Sequence, residues 1–175
     1  KQPVVELVSM MHRRDYMYQA LLPSGSEHKL LMGLPHETMI WEAVSKVVPT
    51  VKAVNLTSGG FGWFHAVVSI DKQVDGDAKN ALAAIFSAHP SLKHAVVVDT
   101  DIDVYDPQMV EWAIATRFQG SEDLLIIPHA RGSTLDPSAD QETGLTTKVG
   151  VDATRPLSKP REKFELAKIP VSKRV

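Results

Sequence analysis

Four aspartates crowd one short stretch, Asp99, Asp101, Asp103 and Asp106, directly after the apolar run Ala95-Val96-Val97-Val98. Oxygen donors at such density suit a hard cation such as Mg²⁺ or Ca²⁺. The spacing is not that of an EF-hand, which needs Gly at the sixth loop position and Glu at the twelfth. The competing reading, which is preferred, is that the acids satisfy loop amides and the helix start at Asp106-Pro107. A second group, Ala130-Arg131-Gly132-Ser133-Thr134-Leu135-Asp136-Pro137, offers a planar cation, two hydroxyls and a flexible backbone. It reads equally as a ligand-binding loop or as a solvated connection. Gly59-Gly60-Phe61-Gly62 resembles a phosphate-binding loop only loosely, because a strand follows it and no GK[ST] is present. A tight turn needing positive φ is the simpler account. His65 could titrate near neutrality, but among Phe64, Ala66 and Val67 it reads as a hydrogen-bonded structural residue. The seven histidines form no HxH or HxxxH pair, no GxSxG elbow occurs, and there is no cysteine, so His-based metal sites and the usual nucleophiles are not expected.

Composition narrows the classes further. A chain of 175 residues with 43% hydrophobic content can bury a core and has room for about one domain. A net charge of −2 argues against nucleic acid and membrane surfaces as partners, since both call for a basic face. The apolar runs are too short to span a bilayer, no leader pattern opens the chain, and a cytoplasmic location is expected. The chain begins at Lys1 without Met and enters Val4-Val5-Glu6-Leu7-Val8 at once, which reads as part of a longer protein.

The elements that must hold these groups follow from periodicity. Pro3 to Met10 reads as a strand. Pro23 to Glu27 is a loop with Ser26 as cap of a helix carrying Leu30, Leu31 and Leu34, and a second helix is predicted from His36 to Val47. Val51 to Leu56 and Trp63 to Ile70 are predicted strands; their short Gly-rich link makes them an antiparallel pair. Asp75-Gly76-Asp77 starts a helix through Asn80, Ala81, Ala84, Ile85 and Ala88, which Pro90 stops. The β-branched run ending at Asp99 suits a strand buried on both faces. A helix from Pro107 toward Gly120 follows, then Leu124 to Ile127 as a strand halted by Pro128. Strand, helix and strand at this spacing predict a parallel βαβ unit with Pro128 to Thr147 as a loop at its carboxyl end, where open α/β sheets bind ligands. Lys148 to Ala153 is a last short strand. The fold class is therefore α/β: a mixed sheet containing a parallel βαβ unit, flanked by helices. The expected division is 1–22 as the end of a preceding domain or linker, 23–155 as the α/β domain, and 156–175 as an extended, charged tail that gains structure against a partner.

Several stretches taken together resemble the C-terminal part of the UbiD family of prenylated-flavin decarboxylases. They are Ala20-Leu21-Leu22-Pro23 with Glu27 to Gly33, Gly59-Gly60 to Val68, Gly76 to Ala81, Ser91 to Asp99, Asp101-Ile102-Asp103 with Asp106-Pro107, Glu111 to Arg117, Arg131 to Pro137, and Thr147 to Thr154. They occur in family order over nearly the whole chain and look most like the archaeal-type branch, which includes decarboxylases of anhydromevalonate phosphate. The resemblance implies reversible, non-oxidative decarboxylation of an unsaturated or aromatic acid by a parent protein using prenylated FMN with Mn²⁺ and K⁺. The family's Glu-Arg-Glu group and cofactor ligands belong to regions absent here. No catalytic, cofactor or metal residue is carried over, and none of these groups is expected on this chain alone. The resemblance leaves this domain with oligomer contacts and with part of the substrate-pocket cover, for which Arg131, Gly132, Ser133 and Leu135 are the candidates. The expected partners are the missing N-terminal and central domains and further copies of the same protein. The rival readings are a stand-alone, non-catalytic assembly or binding module with the same fold, and a metal-dependent enzyme using Asp99 to Asp106.

Overall fold

The computed structural model describes residues 3–167. Five strands form one mixed sheet in the order β1-β2-β3-β5-β4. β1 (Val51–Leu56) and β2 (His65–Ile70) are antiparallel neighbours, as their short connection requires. From β2 the chain crosses through α2 (Asp77–Ala88) to β3 (His94–Asp99), which lies parallel to β2. This is the βαβ unit of the fold. β5 (Leu145–Ala153) is the other parallel neighbour of β3, and β4 (Leu124–Arg131) closes the edge antiparallel to β5.

The parallel unit therefore does not run from β3 through α3 (Pro107–Arg117) into β4, as the spacing predicted. β4 runs opposite to β3, and residues 132–144 are the loop of a β4–β5 hairpin. Pro128 does not halt the strand. It sits where the ladder register shifts, between Ile127 and Ala130, next to His129 at φ 54°. An edge strand tolerates a residue without an N–H at such an irregularity. A second difference lies in α1 (Ser26–Val47), a single helix with Pro35 inside it where two helices were expected. Around the proline, His36 Nδ1 donates to the Met32 carbonyl at 3.0 Å and Thr38 Oγ1 to the Leu34 carbonyl at 3.4 Å, so side chains take up part of the carbonyl capacity there. Gly25, not Ser26, is the N-cap residue, with no side-chain cap. Pro3 to Met10 joins no sheet, and Val4, Val5, Leu7 and Val8 are exposed.

Two layers of core hold the sheet. On one face α1 and α2 bury Ile40, Val44, Leu82 and Ile85 against Val68, Ile70, Ala95 and Val97, with Leu125 and Ile127 at the margin. On the other face α3 alone, among the described residues, places Val110 and Ala113 over Val67, Val96, Val98 and Ala153. Asp106 caps α3 as expected, accepting from the Gln108 and Met109 amides at 2.9 and 3.4 Å, and Pro107 is its first residue. Beneath α1, the rings of His36, Trp63 and His89 lie within 4.5 Å of one another, centroid to centroid. His89 Nε2 donates to the Trp63 carbonyl, and burial together with neighbouring His36 lowers its pKa to about 4. Past β5 the chain turns back, and Arg161–Phe164 forms one 3-10 turn. Residues 168–175 of the expected tail, and residues 1 and 2, lie outside the described residues.

Candidate functional site

α3 does not cover the whole of its face of the sheet, and one cross-strand row in the open part carries two histidines. Register places His65 opposite His94, His94 opposite Val149, and Val149 opposite Ile126. Neighbouring strands lie about 4.8 Å apart, so the row presents two imidazoles side by side and then two aliphatic groups. The next row toward the carboxyl ends, Val67, Val96 and Val151, packs against α3. His94 is exposed and Ile126 is 54% exposed, which is high for a branched aliphatic residue in a strand.

Above the His65 end of this row lies a groove of about 1110 Å³. Its walls are the first half of α1, the turn between β1 and β2, and α3, and its lining includes Leu30, Leu34, Val67, Val104, Val110 and Ile114. Several polar groups in it are already engaged. Glu37 Oε1 accepts from the Leu56 amide at 2.7 Å, and Asn55 Nδ2 donates to the Val104 carbonyl at 2.7 Å. Thr57 Oγ1 accepts from the Gly60 amide at 3.1 Å and lies 3.0 Å from His65 Nδ1. The turn is built around Gly60, where a Cβ would stand 2.5 Å from the Cβ of His65. The Lys29 ammonium sits 4.4 Å from the centre of the Phe61 ring. Burial and the neighbouring His94 lower the His65 pKa; burial and Lys93 lower that of His94, against an opposing pull from Asp136.

The loop of residues 132–144 lies beside this row, at the amino ends of β3 and β5. The reversed β4 puts it at the opposite end from the one expected. Lys93 joins it to the sheet by an ion pair with Asp136 at 2.7 Å and a contact with Ser138 Oγ. Burial raises the Asp136 carboxyl, but hydrogen bonds from Lys93 and Ser138 outweigh it and hold the pKa at about 2. Gln141 donates to the Asp136 and Ala139 carbonyls, and Asp140 accepts from the Glu142 and Thr143 amides. The segment is thus tied to itself and to β3, more closely than its Gly, Ser and Thr content implies. Arg131 ends β4 opposite Leu145, on the face of the sheet that carries His94. Gly132 packs close to Thr146, Ser133 is buried with its hydroxyl accepting from the Leu135 amide, and Leu135 is 67% exposed.

The aspartate cluster lies at the other end of the sheet and serves a buried arginine. Arg117, in the last turn of α3, donates to Asp99 at 2.7 Å and forms a two-pronged contact with Asp101 at 3.0 and 2.7 Å. Asp99 also accepts from the Arg155 amide, and Arg117 from its other side donates to the Phe164 carbonyl at 3.2 Å. Burial would raise the Asp101 carboxyl, but the guanidinium holds it below the ordinary range. Asp103 accepts from the Tyr105 amide. Among the described residues no three His, Asp or Glu side chains form a metal-ligating group, and no helix is long and apolar enough to cross a membrane. Of the groups weighed from sequence, His65 lies in the groove and Arg131 to Leu135 at its end of the sheet, while the aspartates lie elsewhere. His94 was missed. Its only signal is register, because it begins its strand just as His65 does.

Residues 29–153 match the family described as the 3-octaprenyl-4-hydroxybenzoate carboxy-lyase C-terminal domain, and the chain belongs to this UbiD family. It is 58% identical over 164 residues to the anhydromevalonate phosphate decarboxylase of Methanothermobacter thermautotrophicus, covering 94% of this chain and 38% of that protein. Its fold is similar to that of the UbiD-class enzyme HmfF from Pelotomaculum thermopropionicum, solved in complex with FMN. The TM-score is 0.86 at 46% identity, over 91% of this chain and 35% of HmfF. The 3,4-dihydroxybenzoic acid decarboxylase AroY of Klebsiella pneumoniae gives a TM-score of 0.74 at 31% identity, over 85% of this chain and 32% of that one. The chain thus spans well under half the length of the relatives it matches.

Proposed function

We propose that this chain is the C-terminal domain of a UbiD-type carboxy-lyase whose parent protein decarboxylates an unsaturated or aromatic acid reversibly and without oxidation. The observation that carries the reading is the family match over residues 29–153 beside relatives named as decarboxylases. The similarity to an archaeal anhydromevalonate phosphate decarboxylase favours a phosphate-bearing acid as substrate. The domain division follows the same reading, with 1–22 leading in from a preceding domain, 23–155 as the α/β unit and 156–175 as a tail. Its partners are the parent's N-terminal and central domains and further copies of the protein, in the cytoplasm.

The cofactor the family implies is prenylated FMN with Mn²⁺ and K⁺. The acids here do not make a cradle for a metal, since Asp99 and Asp101 are spent on Arg117 and Asp103 and Asp106 on loop and helix amides. The cofactor and its ions are assigned to the parts of the parent outside this chain. The role left to this domain is to help assemble the protein and to cover part of the substrate pocket with Arg131, Gly132, Ser133 and Leu135.

Two measurements test this. The isolated chain with added prenylated FMN should show no turnover, while the full-length parent does; comparable rates would place the catalytic groups here and overturn the reading. In the parent, Leu135→Ala should alter substrate affinity or turnover with little effect on melting, because a side chain this exposed contributes little to the core. Arg131→Ala should act more strongly on a phosphate-bearing substrate, raising KM about tenfold to a hundredfold for a lost charge-assisted hydrogen bond of about 1.5–3 kcal/mol. Unchanged kinetics for both variants would make the loop a plain surface connection.

A further inference from the structure

We propose that His65 and His94 together form a two-imidazole donor site for an oxyanion at one end of a ligand whose apolar body lies along Val149 and Ile126. Geometry comes first. The two histidines start adjacent parallel strands in exact cross-strand register, on the part of the sheet face that α3 leaves open. Side chains in register on one face of neighbouring strands point the same way, so both rings rise from the floor of the same depression. Both line the groove.

Donor chemistry is set by the turn. Thr57 Oγ1 already accepts the Gly60 amide, so its own hydrogen is free for His65 Nδ1, 3.0 Å away. With Thr57 donating, the His65 hydrogen sits on Nε2, which has no protein partner among the described residues, and an oxyanion accepting from Nε2 selects this tautomer over its alternative. His94 has no side-chain hydrogen bond among the described residues. Both pKa values are lowered, so both rings are neutral near pH 7, and each can offer one N–H and no competing charge. The charges around them are mixed. Lys29 stands in the groove wall, Glu111 faces it from α3, Glu37 is occupied by the Leu56 amide, and Lys93 is tied to Asp136. An oxyanion binding between the rings would draw them toward the protonated state.

The remainder of the row fixes the shape of the ligand. From His94 it continues to Val149 and Ile126 with no charged residue, so a ligand held at its anionic end lays hydrocarbon over β5 and β4. An acid with an unsaturated carbon chain, with or without a phosphate, has this form. The choice of an unsaturated acid and of phosphate rests on the proposed function, whereas the pair of imidazoles rests on the register of β2 with β3 and on the groove both rings line.

The test is titration of the 175-residue chain, followed by NMR of the histidine imidazoles, with inorganic phosphate in one arm and crotonate in the other. The result expected is a saturable upward movement of the His65 and His94 titration midpoints in concert, with His129, outside the groove, as internal control. His65→Gln and His94→Gln should each weaken binding about tenfold or more, the loss expected for one hydrogen bond to a charged group. A response to phosphate alone assigns the phosphate end of the ligand to the pair, and a response to crotonate assigns the carboxylate. No movement in either arm overturns the proposal. So does an unsaturable drift shared with His129, which is adventitious anion binding only, or a response of one ring that survives replacement of the other.

Discussion

Arg117 is the residue whose loss should do most damage to this fold. Its side chain is fully buried and faces two carboxylates, Asp99 with 8% of its side chain exposed and Asp101 with 32%. In Arg117→Met the hydrocarbon stem is kept and the guanidinium removed, so Asp99 is left as a buried charge with only the Arg155 amide as partner. Breaking a buried pair from one side costs about 3–5 kcal/mol, against a total stability of about 5–15 kcal/mol for a domain. With an m-value of about 2 kcal/mol/M in urea, the midpoint should fall by about 1.5–2.5 M. Asp101→Asn should cost only about 1 kcal/mol, because solvent already screens that carboxylate. Asp99→Asn placed on Arg117→Met should recover part of the loss by removing the orphaned charge. Arg117 also holds the Phe164 carbonyl, so limited proteolysis between Arg155 and Phe164 should accelerate in Arg117→Met. A midpoint within about 0.5 M of the unmodified chain, at unchanged m, would refute the claim that this ion pair braces the fold.

Acid should destabilise the domain through His89. Its pKa in the fold is about 4 against 6.5 when free, so the unfolded chain binds more protons between those values. The stability it allows is complete above pH 6.5 and is lost as pH falls toward 4, by at most about 3 kcal/mol at 1.36 kcal/mol per pH unit. Urea midpoints at pH 7 and 4.5 measure this, and His89→Gln should flatten the dependence. Gly150→Ala should cost about 1–3 kcal/mol by overpacking, since a Cβ there would meet Leu82 at 2.9 Å and Phe86 at 3.2 Å; a melting temperature unchanged from the parent sequence would show that α2 yields without strain.

What the sequence made legible was local. The cap and proline at Asp106-Pro107, the β-branched run into Asp99 and the Gly-rich link between β1 and β2 each act over a few residues, and all three fold as their chemistry requires. The direction of β4 was not legible. Residues 119–123 can turn the chain toward either edge, and what decides is pairing with β5, which lies beyond residues 132–144. Pro35 misled because a proline can be carried inside a long helix whose later turns pack on the core, as Ile40 and Val44 do here. The reading that set the aspartates on loop amides and the helix start describes Asp103 and Asp106; Asp99 and Asp101 face Arg117, which lies a whole helix away and is brought back only by the three-dimensional fold. His94 could not be paired with His65 without the register of two parallel strands.

The two rims of the sheet are both broken. β4 carries Pro128 and a shift of register between Ile127 and Ala130, and β1 carries a shift between Val51 and Ala53 with exposed Lys52 beside it. An irregular rim is a poor template for a sixth strand from another molecule. Growth of the sheet from chain to chain is disfavoured at both ends, which helps guard a domain with exposed aliphatic residues such as Ile126 against fibrous aggregation. A contact between copies through side chains on the helices and on the open face is favoured over one that joins sheets edge to edge.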